Sequence, residues 1–343
     1  MADLLIESIA PDDPRWDQAA ASHPDATFFH LGGWARVLER TFAYRSHSLV
    51  ATKDGRVCGL LPLFLVRTLP FGRSLVSIPL AVYGGPCADD PQTARALIAR
   101  AQAVADDMKV RYLELRNQTA VDGLPVKDLY VTFRKPIHSD PEKNMEAIPR
   151  KQRRMIRQGE KFGLTSTVGG AELLDKFYRI YAHSVSRLGS PVYPRTLFAR
   201  LLKEFGPSCR ILAVHHEGRM VAGVMTFFFR DQVIPYYGGA LRDAFRYAAN
   251  DFMYWQLMCH GAEHGYSVFD FGRSKEGTGP YDFKRHWGFE PTPLPYQYHL
   301  VRQKTMPDLS PKNPKFSLAI EAWKRMPLWL TRSLGPQLVR YFP

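Results

Sequence analysis

Cysteine is scarce in this chain: four residues in 343, Cys58, Cys87, Cys209 and Cys259, all far apart. That spacing suits neither a zinc site nor a disulfide framework, so free thiols are expected. Long apolar runs are also missing. The longest, Val57 to Val66, is too short to span a bilayer and is broken by Gly59 and Pro62. Met1-Ala2-Asp3 lacks the basic start and apolar stretch of a secretory signal, so a cytoplasmic location is expected. No Ser-His-Asp order and no nucleophile elbow point to a hydrolase. His260 and His264 are four apart without the intervening Glu of a helical zinc motif, so no metal is expected. No helix-turn-helix or zinc-finger pattern accompanies the charge, which argues against DNA as a partner.

Acidic residues are in deficit, 33 against 46 Lys and Arg, for a net charge of +13. The excess is local. Residues 143–161 carry seven basic residues against Glu146 and Glu160, a net of +5. Residues 301–343 carry eight against Asp308 and Glu321, a net of +6. Local positive charge of this kind suits a phosphate-bearing substrate, a polyanion or an anionic membrane face. Pro149 opens an expected helix on which Arg150, Arg153, Arg154 and Arg157 share one face. With no acids to balance it, that face repels itself unless an anion binds. The tail from Phe316 mixes Trp323, Leu328, Trp329, Leu334 and Leu338 with Lys324, Arg325, Arg332 and Arg340. It suits an interfacial element on an anionic membrane or a segment docked on the core.

Apolar residues make up 45% of the chain, enough for a sizeable core and two domains. The order of elements repeats. A hairpin at Ser46–Leu63, with Gly59 in its second strand, is echoed at Arg210–Met225, with Gly223. Val82-Tyr83-Gly84-Gly85 is echoed by Tyr236-Tyr237-Gly238-Gly239. A helix follows each, near 91–107 and 250–264, and then a strand, at 112–116 and 268–271. The expected class is α/β with a mixed sheet (α+β in character), arranged as two tandem units whose order of elements resembles the GNAT acyltransferase fold. The expected limits are an N-terminal domain 1–142, a basic linker helix 143–165, a C-terminal domain 166–302 and a tail 303–343.

The densest stretch is Val268–Phe289. It reads as a strand, then a Gly-rich polar loop with Arg273 and Lys275, then a cluster of Tyr281, Phe283, Lys284, Arg285 and Trp287. Cations and rings at a strand end suit an anionic substrate. Asp270 reads equally as a general base and as an ion-pair partner for Arg273. Tyr237 and Tyr281 are candidates to hydrogen-bond a substrate.

Four passages carry a resemblance: Ser77-Ile78-Pro79 to Pro86, Arg187 to Arg195, Phe269 to Ser274, and Tyr281-Asp282-Phe283-Lys284 to Phe289. With them, residues 25–300 resemble the FemAB-like aminoacyl- and acyltransferases with tandem GNAT domains, in particular a subgroup associated with exosortase (PEP-CTERM) and exopolysaccharide loci. The resemblance implies an N-acyltransferase acting on an amine of a peptidoglycan or exopolysaccharide precursor, free or lipid-linked. It implies aminoacyl-tRNA or acyl-CoA as donor, with tRNA as a partner in the first case. Phe283-Lys284 matches a Phe-Lys pair of the donor channel, which makes Lys284 the first catalytic candidate, with Asp270 beside it. Arg273, Tyr281, Phe283, Tyr237, Arg150, Arg153, Arg154 and Arg195 are the candidates for substrate binding. Two departures follow. Residues 143–165 are too short for a long tRNA-facing helical hairpin, which leans the donor toward acyl-CoA. The Gln/Arg-x-x-Gly-x-Gly/Ala pyrophosphate loop of coenzyme A enzymes is absent, which keeps open a non-catalytic pair that binds an anionic glycan-lipid at the inner membrane face.

Overall fold

A computed structural model describes residues 4–68, 72–307 and 314–342. Lys312 of the expected tail lies outside the described residues, as do the side chains of Lys315, Phe316 and Leu318. The chain forms two compact units. The first takes Met1–Tyr130, Pro293–Asp308 and Leu338–Pro343; the second takes Val131–Thr292 and Leu309–Gln337.

The elements run in chain order. They are β1 (Leu5–Ser8), α1 (Pro14–Ser22), α2 (Gly32–Phe42), β2 (Arg45–Ser46), β3 (Leu49–Lys53), β4 (Arg56–Leu61), β5 (Phe64–Thr68), β6 (Gly72–Val76) and β7 (Cys87–Ala88). Next come α3 (Pro91–Asp107), β8 (Tyr112–Arg116), β9 (Val126–Pro136), α4 (Pro141–Ala147), α5 (Arg150–Lys161), β10 (Thr165–Gly169), α6 (Leu174–Arg187) and α7 (Arg195–Phe205). The rest are β11 (Cys209–His216), β12 (Arg219–Phe229), β13 (Gln232–Ala240), α8 (Ala249–Glu263), β14 (Val268–Lys275), α9 (Gly279–His286), β15 (Pro291–Leu300), α10 (Pro314–Arg325) and α11 (Leu328–Val339).

The first unit holds a sheet of order β1-β3-β4-β7 and a run of order β15-β8-β6-β5-β2. The second holds β10-β11-β12-β13-β14, with β9 on the far side of β14. The repeat read from the sequence is present. Both hairpins place the same pair in register, Ala51 opposite Gly59 and Ala213 opposite Gly223. The register shifts directly beyond that pair in the first hairpin and one pair further on in the second. The reason for glycine is packing as well as the bulge. A Cβ on Gly59 would stand 2.9 Å from Leu97 of α3, and one on Gly223 would stand 2.7 Å from Met220 and 3.3 Å from Phe177 of α6. The long strand β12 is continuous, whereas its counterpart is split into β4 and β5 at Pro62, which has no N–H for a ladder.

The repeat extends to a pair of parting strands. Parallel strands β6 and β8 pair only at Leu75–Leu113 and Val76–Glu114. Parallel strands β13 and β14 pair only at Gln232–Val268 and Val233–Phe269. Beyond those residues each pair separates, which opens a wedge in the sheet. Helices α3 and α8 follow β6 and β13. α3 starts at Pro91 because Asp90 accepts from the Thr93 amide and hydroxyl, both at 2.8 Å.

Two readings differ from the sequence expectation. The supposed polar loop after Phe271 continues as strand to Lys275, and the aromatic-basic cluster forms helix α9. Pro280 sits in the first turn of that helix, where its missing N–H costs nothing. Val82–Gly85 lies in a loop, while its echo Tyr236–Gly239 is strand. Among the described residues no helix is long and apolar enough to cross a membrane.

Candidate active site

The second unit gathers most of the candidates around the exit of β14. Lys284, on α9, is 8% exposed despite its charge. Its Nζ donates to three backbone carbonyls of β14: Phe271 at 2.8 Å, Gly272 at 3.0 Å and Arg273 at 3.1 Å. The ammonium also lies over the rings of Phe133 and Phe271, at 5.5 and 6.0 Å. Burial pushes its pKa down to about 7, with the Asp270 charge pulling it up and Arg273 pushing it down. The side chain therefore staples α9 to the strand end. To stabilise an oxyanion it would have to release one carbonyl.

Asp270 is fully buried. One oxygen accepts from the Gly272 amide at 2.7 Å, and the other pairs with Arg134 of β9 at 3.4 Å. Arg134 was not among the sequence candidates; nothing in its local spacing singles it out. Tyr281 packs edge-on against Phe133, and Phe283 packs among Tyr254, Phe271 and Trp287. Arg273 is half-buried next to these carbonyls. Tyr237 belongs to a different cluster, with Tyr181, Tyr193 and Phe198. Its buried hydroxyl has no hydrogen-bond partner among the described residues, and burial raises its pKa well above the usual value.

The expected basic helix is α5, at Arg150–Lys161. Its buried face is Gln152, Ile156 and Gly159. Arg150, Lys151, Arg153, Arg154, Arg157 and Lys161 line an open groove of about 1210 Å³. Among the described residues none of these four arginines has an acidic partner. α5 is fixed by one buried carboxylate. Asp251, in the first turn of α8, accepts from Gln152 at 2.8 Å and from the Trp287 indole at 3.1 Å. The buried face of α5 is thus anchored to the start of α8 while its arginines point to solvent, and the end of α9 is tied to the same oxygen. Desolvation pushes Asp251 up to about 6. Asp251 and Gln152 escaped the sequence reading because they are neighbours only in space.

Arg195 lies elsewhere, in a surface depression with Tyr178, Trp329 and Arg332, and pairs with Asp175 at 2.6 Å. At the end of α8, His260, Glu263 and His264 bring three ligand-type atoms within 4.8 Å of one another, the one such group among the described residues.

Residues 143–285, which include the parting strands, α5, α8 and most of α9, match the family described as acetyltransferase (GNAT) domain. No curated protein matches the sequence significantly. Solved structures do match in fold. FemX superposes with a TM-score of 0.69 at 16% identity, over 92% of this chain and 100% of that one. L-PGS from Bacillus licheniformis gives 0.58 at 15% identity, over 97% and 98%. A tandem GNAT protein from the clavulanic acid biosynthesis pathway gives 0.51 at 16%, over 89% and 100%. The protein is a mixed α/β chain whose residues 143–285 match the GNAT acetyltransferase domain and whose fold is that of tandem GNAT proteins.

Proposed function

We propose that this protein is a FemAB-like N-acyltransferase, of the exosortase- and exopolysaccharide-associated kind, acting on an amine of a cell-envelope precursor. The observation that carries the reading is the two-residue parallel pairing of β13 and β14 inside the matched GNAT domain. The parting of the strands leaves room for an extended acyl donor between them. Lys284 and Asp270 hold the shape of the β14 exit, and Arg273, Tyr281 and Phe283 stand around it.

In the reaction the amine nitrogen attacks the acyl carbonyl carbon. The carbon–sulfur bond of a thioester, or the carbon–oxygen bond of an ester, then breaks, and the amine proton passes to the leaving group. Positioning supplies much of the rate, so a dedicated base is not required. The donor carries phosphates, as acyl-CoA or aminoacyl-tRNA do, and the acceptor is an amino sugar or peptide amine, free or lipid-linked. The chain lacks a pyrophosphate loop, but α5, anchored to α8 by the Gln152–Asp251 bond, turns to solvent an arginine face that has no acidic partner among the described residues. We assign the donor phosphates to Arg150, Arg153 and Arg154, with acyl-CoA as the first donor to test.

The test is calorimetric titration with acyl-CoAs of increasing length and with charged and uncharged tRNA. Acyl-CoA binding would make the protein a coenzyme A acyltransferase. Binding of aminoacyl-tRNA alone would make it a Fem-type ligase. Binding of neither by the folded protein would reject catalysis in favour of a scaffold for an anionic glycan-lipid.

A further inference from the structure

The tail was open to two readings, and the structure shows that its helices have two different faces. One face is docked on the second unit. The Trp323 indole donates to the Ser190 carbonyl at 3.0 Å. Thr331 is fully buried, with its hydroxyl 2.8 Å from that of Ser186. Gly335 lies against the backbone of Val192 so closely that a Cβ would stand 2.6 Å from its nitrogen. These contacts fix how α11 is rotated.

The other face is left in solvent. Trp329 is 71% exposed and Leu334 40% exposed, and Leu188 at the end of α6 is 64% exposed. Exposed cations, Arg325 and Arg332, accompany them. α11 contains no acidic residue, and Glu321 of α10 is held by Lys324 at 2.6 Å. Beside Trp329 lies a depression of about 450 Å³ that also takes in Tyr178, Arg195 and Arg332. Arg332 lies over the Tyr178 ring at 5.4 Å, which holds the guanidinium at the depression. The carboxylate near this depression, Asp175, is already paired with Arg195 and lies in the field of Arg179 as well.

We propose that this outer face binds the surface of an anionic phospholipid bilayer, with a lipid phosphate in the depression at Arg195 and Arg332 and with Trp329 at the headgroup boundary. The mixture of residues selects the partner. Tryptophan settles where one side is apolar and the other wet, and basic side chains beside it are drawn to anionic headgroups. The arginine face of α5 shows the contrast, since its groove is lined by Arg, Lys and Gln without an aromatic or leucine side chain. The inference goes beyond the acyltransferase reading and needs neither donor nor acceptor, so either can fail alone.

The experiment is co-sedimentation of the full chain with vesicles of phosphatidylglycerol and phosphatidylcholine, against phosphatidylcholine alone. The expected result is binding to the anionic vesicles only. Trp329→Ala and Arg332→Glu should each lower the partition coefficient at least fivefold, while Arg153→Glu with Arg154→Glu should retain most of it. Thermal midpoints verify folding, and Trp329→Ala should leave the midpoint unchanged because the ring is mostly in water. The proposal is overturned if the wild-type chain stays in the supernatant with anionic vesicles, or if Trp329→Ala binds as well as wild type. It is also overturned if sedimentation equilibrium shows a dimer that Trp329→Ala dissolves, because the face would then belong to a second copy.

Discussion

The Trp287 indole donates to Oδ1 of Asp251 at 3.1 Å, although one residue lies just past the end of α9 and the other in the first turn of α8. The same oxygen takes the Gln152 amide. Desolvation keeps this carboxyl protonated up to about pH 6 in the folded state, against 3.8 for the free group. Between those values the folded chain holds a proton that the unfolded chain has lost, so this group's contribution to stability falls as pH rises from 4 to 6 and is constant above. Asp251→Asn should remove that slope. Denaturant melts of both forms at pH 4.5 and 7.5 should show the wild type losing about 2 kcal/mol more over the interval.

Charge reversal on α5 should separate binding from folding. Arg153→Glu with Arg154→Glu should weaken donor binding at least about tenfold and flatten its dependence on salt. Stability should change by no more than about 0.5 kcal/mol, because among the described residues these side chains have no acidic partners to lose. Unchanged affinity and salt dependence in calorimetry would remove the phosphates from this helix.

Gly159 sets two effects against each other. Alanine is favoured over glycine in a helix by about 1 kcal/mol. A Cβ at this position would stand only 2.9 Å from Cβ of Phe252, which anchors the facing helix. Overpacking of that kind costs about 1–3 kcal/mol, so Gly159→Ala should be net destabilising. It should also weaken donor binding, because α5 is lifted from α8. Thermal melts and donor titration check the two halves separately.

Lys284→Met keeps the length of the side chain and removes all its donors. Three carbonyls of β14 lose their partner, at a cost of about 1–3 kcal/mol near neutral pH, and acyl transfer should be lost with them. Wild-type Lys284 has a folded pKa of about 7, below its ordinary 10.5. Between those values the unfolded chain holds the extra proton, so wild-type stability relative to Lys284→Met should rise as pH is taken from 7 to 10. A flat difference across that range would mean that the ammonium keeps its proton in the fold.

The sequence exposed whatever is written locally. Asp90-Pro91 and Pro149 mark the starts of α3 and α5, and the glycine in each hairpin marks the repeat. Gly272 hid the continuation of β14, because a glycine with positive φ inside a strand reads as a loop. The site was legible where cations and rings crowd one stretch, as at Lys284, Tyr281 and Phe283. It was not legible where a partner comes from another element. Arg134 reaches Asp270 from β9, and Gln152 reaches Asp251 across 99 positions. Arg195 looked like part of the same constellation, and only the folded chain shows it beside Trp329.

The first unit is completed by residues made late. Strand β15, from Pro293 on, pairs with β8 at Tyr296–Arg116 and Leu300–Tyr112. On the ribosome the first 130 residues therefore emerge without the strand that closes their own sheet, and the edge of β8 stays open while Val131–Thr292 of the second unit is synthesised. The second unit, continuous from Val131 to Thr292, has most of its residues in one stretch and can settle first. Vectorial synthesis then runs against the usual N-terminal-first order. A truncation at the apparent domain boundary would leave an unpaired strand edge, and aggregation rather than a free-standing half would be its product.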